Sequence, residues 1–462
     1  MPQTLEFTYG EDKLALNFPD GFLAGELVRP RPAGPPLCQK ELAAKIDEAL
    51  SRPVGRPRLA EMAAGKSVAI VISDEFRAGL QKHILDRMLV EAWKGGPSRL
   101  AVFVSTGSHA PEIYAKNIVP WFHESCQKHG IAAEIFANDC DKSEHVVLGR
   151  TSLGARVELM KDLLRFEVRA YGHESKHHYM NGYSIIDKQV VPGLASRKCI
   201  EENHKFALDS DHSLGGRSPW HHDPARRANP FAQGAADGRL MSERFQWRDG
   251  RLSETPAETF NLEMISTKVS IDWIYSGDPD EGCRRMIVAA DKLAAFALPK
   301  TRYAAISPGG PPACNAIYGV QNCFDMALKG ALVEGGEALI LAPCLGRPDL
   351  PPEVRGLAPD AKSKALFWDN LCRFLAMPLD QALDYIDKHF ELYLWKTDRV
   401  LKLMRASNIK LYLYSELPPE IIEKGGFTPV KDPQAWIDER ASRGDGQLRA
   451  INDGNKLLVV GE

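Results

Sequence analysis

Residues 67–73, SVAIVIS, and residues 99–106, RLAVFVST, have the length and the β-branched composition of two buried strands. The stretch that begins at Gln81 between them is amphipathic and predicts a helix. Two parallel neighbours in a sheet need such a crossover, so the order strand, helix, strand predicts a parallel arrangement. The first half of the chain therefore predicts an α/β fold with a mainly parallel, Rossmann-like sheet.

The same alternation returns in the second half of the chain, after a helix-like stretch at 281–297. Strand-like runs follow it at 303–308, 337–343 and 409–415. With 462 residues, of which 44% are hydrophobic, the chain can bury two cores. We therefore expect two α/β domains, 1–275 and 276–449, with the active site in the cleft between them. The last strand, within 450–462, is expected to return and complete the N-terminal domain.

The segment 209–258 separates the two series of strands and helices. It is rich in glycine, proline and arginine and shows no sustained periodicity. We expect a long loop there, and its tryptophan, histidine and arginine side chains would suit a lid over an active site.

The charge balance argues against nucleic acid and anionic membranes as partners. Lys+Arg total 58 and Asp+Glu total 61, which gives a net charge of −3. No apolar run approaches the ~18 residues of a membrane span, and the N-terminus lacks the basic and then apolar regions of a signal peptide. The nine cysteines contain no CxxC pair, which argues against a disulfide framework. We expect a cytoplasmic protein with a small-molecule substrate.

Polar residues follow both predicted strands, 67–73 and 99–106, at the edge where parallel α/β sheets bind their ligands. Asp74 and Arg77 lie in ISDEFRAG after the first strand, and His109 lies in the turn TGSHAP after the second. Gly107 permits a tight exit from the strand, so His109 would project from its tip as an acid or base. Taken alone, the same letters also fit a helix N-terminus at Asp74 and a structural histidine at 109.

The segment 172–204 holds the densest group of chemically active side chains, namely His173, His177, His178, Lys188 and His204. Clustered imidazoles indicate metal binding or proton transfer. The dinucleotide motif GxGxxG, the phosphate loop and the GxSxG elbow are absent from the sequence. A metal-dependent hydrolase or lyase with His173, His177 and His178 as ligands stays open, as does a solvated loop with incidental histidines.

The order and spacing of these residues resemble the nickel-pincer-nucleotide-dependent lactate racemase family of 2-hydroxy-acid racemases and epimerases. In that family an Asp-x-x-Arg follows a strand and a TGxH turn comes next. A histidine then precedes a lysine by ten residues, and another histidine follows that lysine by sixteen. The matching residues here are Asp74 and Arg77, the turn that ends at His109, His178, Lys188 and His204, with Gly182, Tyr183, Ser184, Pro192 and Gly193 also in register.

The resemblance implies a cofactor and a reaction. Lys188 would carry, through a thioamide, a pyridinium-3,5-bisthiocarboxylic acid mononucleotide that binds nickel, with Gly182 and Ser184 beside it. His204 would be the protein ligand of the nickel. Hydride would leave the substrate carbon and return to its opposite face, while His109 and His178 act as acid and base. Enzymes that synthesise the cofactor would then be partners.

Two departures from the family pattern concern the cofactor loop and the substrate. The Gly-Gly before the lysine is Ile185-Ile186 here, and β-branched residues tolerate positive φ badly, which predicts a locally different loop. In G-G-x-P-x-D-x-x-x-Y-Q-x-x-K, the acid, the glutamine and the lysine are replaced by Cys314, Gly319 and Asn322.

The lost lysine would normally help to bind the substrate carboxylate. Substrate-binding candidates are then Arg77 and Asp74, with Gln321 and Asn322 as neutral groups. This composition predicts a larger hydroxy or sugar acid rather than lactate. The alternative is a catalytically altered family member that only binds a small carboxylate or the cofactor.

Overall fold

The computed structural model describes residues 2–31, 34–74, 79–208 and 215–462. The fold is α/β, as the sequence predicts, and is built around a six-stranded mixed sheet and a five-stranded parallel sheet. The strands, in chain order, are β1 (Gln3–Tyr9), β2 (Asp12–Phe18), β3 (Ser67–Ser73), β4 (Arg99–Ser105), β5 (Glu134–Ala137), β6 (His145–Arg150), β7 (Arg156–Met160), β8 (Val168–Glu174), β9 (Lys176–His178), β10 (Gly182–Ser184), β11 (Gln246–Arg248), β12 (Arg251–Ser253), β13 (Glu258–Thr267), β14 (Ser270–Gly277), β15 (Ala295–Leu298), β16 (Thr301–Ile306), β17 (Leu332–Leu341), β18 (Lys410–Tyr414), β19 (Thr428–Pro429), β20 (Leu448–Ile451) and β21 (Leu458–Gly461).

The helices follow or precede these strands and cover the faces of the two sheets. They are α1 (Gln39–Ser51), α2 (Leu59–Ala63), α3 (Gln81–Lys94), α4 (Pro111–Tyr114), α5 (Ile118–His129), α6 (Asp187–Val190), α7 (Arg197–Lys205), α8 (Pro230–Arg244), α9 (Pro279–Ala294), α10 (Ile317–Val320), α11 (Lys329–Ala331), α12 (Ala361–Ser363), α13 (Asn370–Leu375), α14 (Leu379–Lys388), α15 (Leu394–Leu401), α16 (Pro419–Lys424) and α17 (Pro433–Arg443). Within the described ranges, none of them is long and apolar enough to cross a bilayer.

The six-stranded sheet has the order β14-β13-β8-β3-β4-β5. All neighbours are parallel except β13 and β14, which form an antiparallel pair at one edge. Side chains of β3 alternate between two buried clusters, because successive residues of a strand point to opposite faces. Val68, Ile70 and Ile72 pack with the helices α1, α3 and α5, whereas Ala69 and Val71 face the opposite side.

The five-stranded sheet, with the order β19-β18-β17-β16-β20, shares its core with the first. Ala304 and Ile306 of β16 belong to the same buried cluster as Val71. The opposite face, with Tyr303 and Ala305, is covered by the β1–β2 hairpin and by α17. Both sheets therefore bury both faces, as parallel sheets generally do.

Two expectations about the chain ends are corrected by this packing. The β1–β2 hairpin buries Phe7 and Phe18 against the five-stranded sheet, although it precedes the N-terminal sheet in sequence. The terminal strand β21 pairs in parallel with β15 and does not join the six-stranded sheet that we expected it to complete. It packs against α11, which precedes β17 of the five-stranded sheet.

The prediction of a long loop over 209–258 is wrong for its central part, while 209–214 lie outside the described residues. The helix α8 occupies 230–244 and begins at Asn229, whose side chain accepts a hydrogen bond from the Ala232 N–H. Gly234 and Gly238 obscure its helical pattern in the sequence. Both lie where a Cβ would collide with packed neighbours, Asn203 and Val191 respectively. The helix is therefore an integral part of the core.

Candidate active site

One cavity at the carboxyl ends of β3 and β4 brings together residues from distant parts of the chain. Its lining includes four side chains to which the sequence assigns chemistry, His109, His178, Lys188 and His204, together with Asp74. The second half of the chain contributes Tyr318, Asn322, Tyr393, Trp395 and Lys396. The edge of a parallel sheet at which ligands usually bind is thus also where the predicted residues converge.

Asp74 and His109 form an acid–imidazole pair in this cavity, in which the carboxylate is buried and the ring is partly exposed. Asp74 directly follows β3 and is 4% exposed, and its Oδ2 lies 2.5 Å from Nδ1 of His109. The turn after β4 brings the histidine there, with Gly107 at φ +59° and its N–H bonded to the Gly193 carbonyl. Because the carboxylate accepts the proton on Nδ1, Nε2 of a neutral His109 has a lone pair and can act as a base.

His178 has the complementary arrangement of its two ring nitrogens. Its Nδ1 accepts the backbone N–H groups of Met180 and Asn181 at 3.2 and 3.1 Å. A neutral ring in these contacts therefore has its proton on Nε2. Nε2 lies 2.7 Å from Nζ of Lys188, and this contact is satisfied when the Nε2–H donates to an uncharged amine. His178 and Lys188 are thus coupled through one hydrogen bond.

Lys188 lies in the short helix α6, and the preceding residue, Asp187, connects this helix to its neighbours by hydrogen bonds. This carboxylate is 1% exposed and accepts hydrogen bonds from Nε of Arg239 at 2.5 Å and from Nε1 of Trp220 at 2.7 Å. Ile185 and Ile186 are buried in the core just before it, and Ile186 has φ −56°. The loop therefore needs no positive φ at Ile186, so the isoleucine is accommodated without backbone strain.

His204 is a buried imidazole on α7. Its Nδ1 donates to the carbonyl of Ile200 one helical turn earlier, at 2.8 Å, which leaves the lone pair on Nε2. The ring centroids of Phe231 and Trp395 lie 4.7 and 4.4 Å from the centroid of the His204 ring. Burial lowers the pKa of His204 to about 3, so the ring stays neutral near neutral pH. Metal-binding histidines are commonly fixed in this way, with one nitrogen on a carbonyl and the other on the metal.

The three neighbouring histidines do not converge on one point, which corrects the alternative of a histidine-ligated hydrolase or lyase. His173 contacts the hydroxyls of Ser73 and Ser184, His177 donates to Asp291, and His178 contacts Lys188. The letters HESKH at 173–177 spell the zinc pattern HExxH, but that pattern requires a helix and these residues lie on and between β8 and β9. No group of three metal-binding side chains occurs among the described residues.

Most of the other predicted site residues are not part of the described cavity lining. Gly182 has φ +70°, and a Cβ there would collide with the Arg217 carbonyl, which explains the glycine by packing. The hydroxyl of Ser184 lies 3.2 Å from Nε2 of His173, and it is His173 that lines the cavity. Asn322 lines the cavity, but Gln321 is fully buried and accepts a hydrogen bond from Lys396. Arg77 lies outside the described residues.

An aromatic wall and a second lysine complete the site, and the sequence did not predict them. Trp395 donates from Nε1 to the hydroxyl of Tyr179 at 3.2 Å. The hydroxyl oxygen of Tyr393 lies 3.0 Å from the hydroxyl oxygen of Ser108, the residue that precedes His109. These residues come from ELYLWKTDR at 391–399, which has no spacing typical of a catalytic motif. The excess of aromatic residues in that stretch was the available signal.

Part of the chain is similar in sequence to known proteins. Residues 9–215 match a family model described as the lactate racemase N-terminal domain. The chain is 28% identical over 207 residues to a lactate racemase of Thermoanaerobacterium thermosaccharolyticum, which covers 43% of this chain and 46% of that protein. It is 24% identical over 161 residues to a lactate racemase of Lactiplantibacillus plantarum, covering 34% and 37%. These matches thus span less than half the length of the curated relatives.

Solved structures extend the likeness to the whole chain. The lactate racemase apoprotein from Thermoanaerobacterium thermosaccharolyticum superposes with a TM-score of 0.77 and 18% identity, covering 100% of both chains. A protein of Thermotoga maritima superposes with a TM-score of 0.62 and 15% identity, covering 92% of this chain and 98% of that one. At these identities the likeness shows a common fold. The N-terminal part of the chain is therefore similar in sequence to lactate racemases, and the whole chain shares the fold of the lactate racemase apoprotein.

Proposed function

We propose that this protein is a racemase or epimerase of a 2-hydroxy acid and that the reaction takes place in the cavity described above. The observation that carries the proposal is the lining of that single cavity. It contains an acid-paired histidine, a second histidine with the opposite proton arrangement, an amine and a neutral buried imidazole. A module that only binds a carboxylate would not need a paired acid and base.

The donor set fits a nickel-pincer nucleotide. Lys188 presents a primary amine, the group that a thioamide link requires, and His204 presents the nitrogen donor that nickel accepts. When bound, the nucleotide would accept a hydride from the substrate carbon and return it. We further propose that enzymes of cofactor synthesis supply it to this protein.

The chain's own residues would move the protons. Nε2 of His109 takes the proton from the substrate hydroxyl, and the buried carboxylate of Asp74 stabilises the imidazolium that forms. His178 donates a hydrogen bond from Nε2 to the substrate oxygen, and the two backbone N–H groups on its Nδ1 fix the ring in that tautomer. The imidazolium of His109 returns its proton to the same oxygen when the hydride returns to the carbon, so both rings end the cycle neutral. The two histidines therefore have unequal roles in the resting state.

The space around the site supports an acid larger than lactate. A second cavity, of about 340 Å³, lies beyond Tyr318, which lines both cavities. Its wall combines apolar side chains such as Ile113 and Leu350 with the polar Asn117 and Asn315. A substrate chain with further hydroxyl groups could extend there. We also propose that the two sheets belong to two domains and that the shared cavity is the cleft between them.

A labelled-substrate assay tests the proposal. Protein produced together with the cofactor-synthesis enzymes is given single enantiomers of 2-hydroxy acids, from lactate to sugar acids, that carry deuterium at C2. We expect inversion of at least one longer acid with the deuterium retained in ordinary water, because a hydride that is stored and returned does not exchange with solvent. Binding of acids without inversion across the panel would support the binding-only alternative, and loss of deuterium would refute hydride transfer.

A further inference from the structure

Lys396 is a buried cation in the wall of the cavity. It lies in the first turn of α15 and is 2% exposed. Its Nζ donates to three neutral oxygens, the carbonyl of Tyr318 at 3.2 Å and the side chains of Gln321 and Asn322 at 3.1 and 2.9 Å. Nζ also lies 4.0 Å from the ring centroid of Tyr318. In the described part of the chain, Lys396 forms no ion pair with a carboxylate.

A buried ammonium without an anionic partner is costly, because it gives up hydration and gains no opposite charge in return. Burial accordingly lowers the pKa of Lys396 to about 7, although Asp325 acts in the opposite direction. An anion bound beside Nζ would favour the charged form and offset part of that cost. The site is thus more favourable with an anionic ligand than without one.

The position of Lys396 relative to Asn322 indicates what the ligand is. Asn322 stands where the related pattern G-G-x-P-x-D-x-x-x-Y-Q-x-x-K has its lysine, and its Oδ1 is 2.9 Å from Nζ of Lys396. Position 322 thus lacks a cation, but Lys396 places one beside it from a different helix. Both residues line the cavity that contains His109 and His178. Asp74 is the only carboxylate in that described lining, and it is paired with His109.

We propose that Lys396 binds the carboxylate of the substrate and that Asn322 forms a hydrogen bond with a neighbouring hydroxyl group of the same ligand. This inference rests on the proposed function for the identity of the acid. Its physical basis is separate, because it requires only that the cavity bind a carboxylate. The ammonium would exchange its hydrogen bond to the partly buried Asn322 for one to the ligand, and the amide of Asn322 would then be available to a neighbouring hydroxyl.

The test measures binding of propionate, which has a carboxylate but no hydroxyl to oxidise, by ligand-observed NMR titration of the full-length protein before and after cofactor loading. Propionamide, equal in shape but neutral, is the matched ligand. We expect K396Q to weaken propionate binding about thirty-fold or more, because it removes one partner of a buried charge pair. Glutamine keeps N–H donors for the neighbouring oxygens, and K396M provides a second variant should the first fold poorly.

The matched control is K402M, which removes an equal charge six residues further along. Lys402 donates to the Leu208 carbonyl and pairs with Asp398, and it is not part of the cavity lining. The propionate affinity of K402M should stay within a factor of two of that of the protein without a substitution. Propionate binding unchanged by K396Q, equal affinity for propionamide, or no propionate binding at tens of millimolar would each overturn the inference. Propionate binding that depends on Lys396, without inversion of any hydroxy acid, would support it while refuting the racemase proposal.

Discussion

Replacing Arg239 by methionine should loosen the helix that carries Lys188. The guanidinium is fully buried and joins three carboxylates, through Nε to Asp187 at 2.5 Å, Nη1 to Glu243 at 2.7 Å and Nη2 to Asp280 at 2.6 Å. Asp280 is partly exposed and can be rehydrated, but the side chain of Asp187 is only 1% exposed. R239M therefore leaves an uncompensated buried charge, which typically costs about 3–5 kcal/mol.

The free energy of unfolding would be measured by urea denaturation, and hydrogen–deuterium exchange of peptides spanning 182–191 would localise the loss. R244M is the matched control, since Arg244 ends the same helix and pairs with Glu254 between side chains that are 63% and 62% exposed. Its effect should stay below about 1 kcal/mol. The double variant R239M/D187N should recover part of the loss, because it removes both charges. An R239M cost within 1 kcal/mol of that of R244M, with unchanged exchange at 182–191, would refute the reasoning.

Three further predictions concern the site itself. In metal-free protein, unfolded His204 binds a proton below about pH 6.5, whereas the folded pKa is about 3. Stability should thus fall as pH drops between these values, by up to about 1.4 kcal/mol per pH unit, and urea midpoints should show a smaller fall for H204Q. D74N should lower kcat by roughly 10- to 100-fold in the inversion assay, through loss of a charged hydrogen bond to His109; an unchanged kcat would contradict the role of the pair. G182A should cost about 2 kcal/mol or more, whereas G130A, at φ +64° with no neighbour within 4 Å of an added Cβ, should cost only about 1–2 kcal/mol in thermal unfolding.

Local patterns predicted the strands and helices that lead into the site. The runs 67–73 and 99–106 became β3 and β4 with nearly the same bounds, because continuous β-branched segments between turns have few alternatives. The convergence of His109, His178, Lys188 and His204 also followed from the sequence, through the family pattern. Spacing is informative for His178, Lys188 and His204 because only the short elements β10, α6 and α7 connect or carry them. His109 is more distant in sequence and reaches the same cavity because β4 ends at this edge of the sheet.

The parts that sequence reasoning missed depend on contacts between distant segments. Lys396 reaches the cavity on a helix whose sequence has no catalytic spacing, so only packing places it beside Asn322. The helix α8 was hidden by Gly234 and Gly238, which lower helix propensity but permit close packing. The position of the β1–β2 hairpin is likewise set by where Phe7 and Phe18 can be buried, and nothing in the local pattern specifies that partner.

The most direct test of the proposed function is the mass of the peptide that contains Lys188, together with the nickel content, in protein produced with the cofactor-synthesis enzymes. We predict a mass increase on that peptide, about one nickel per chain, and inversion of a 2-hydroxy acid by the same preparation. The K188R variant should lack all three. A preparation that inverts its substrate while Lys188 is unmodified would contradict the account.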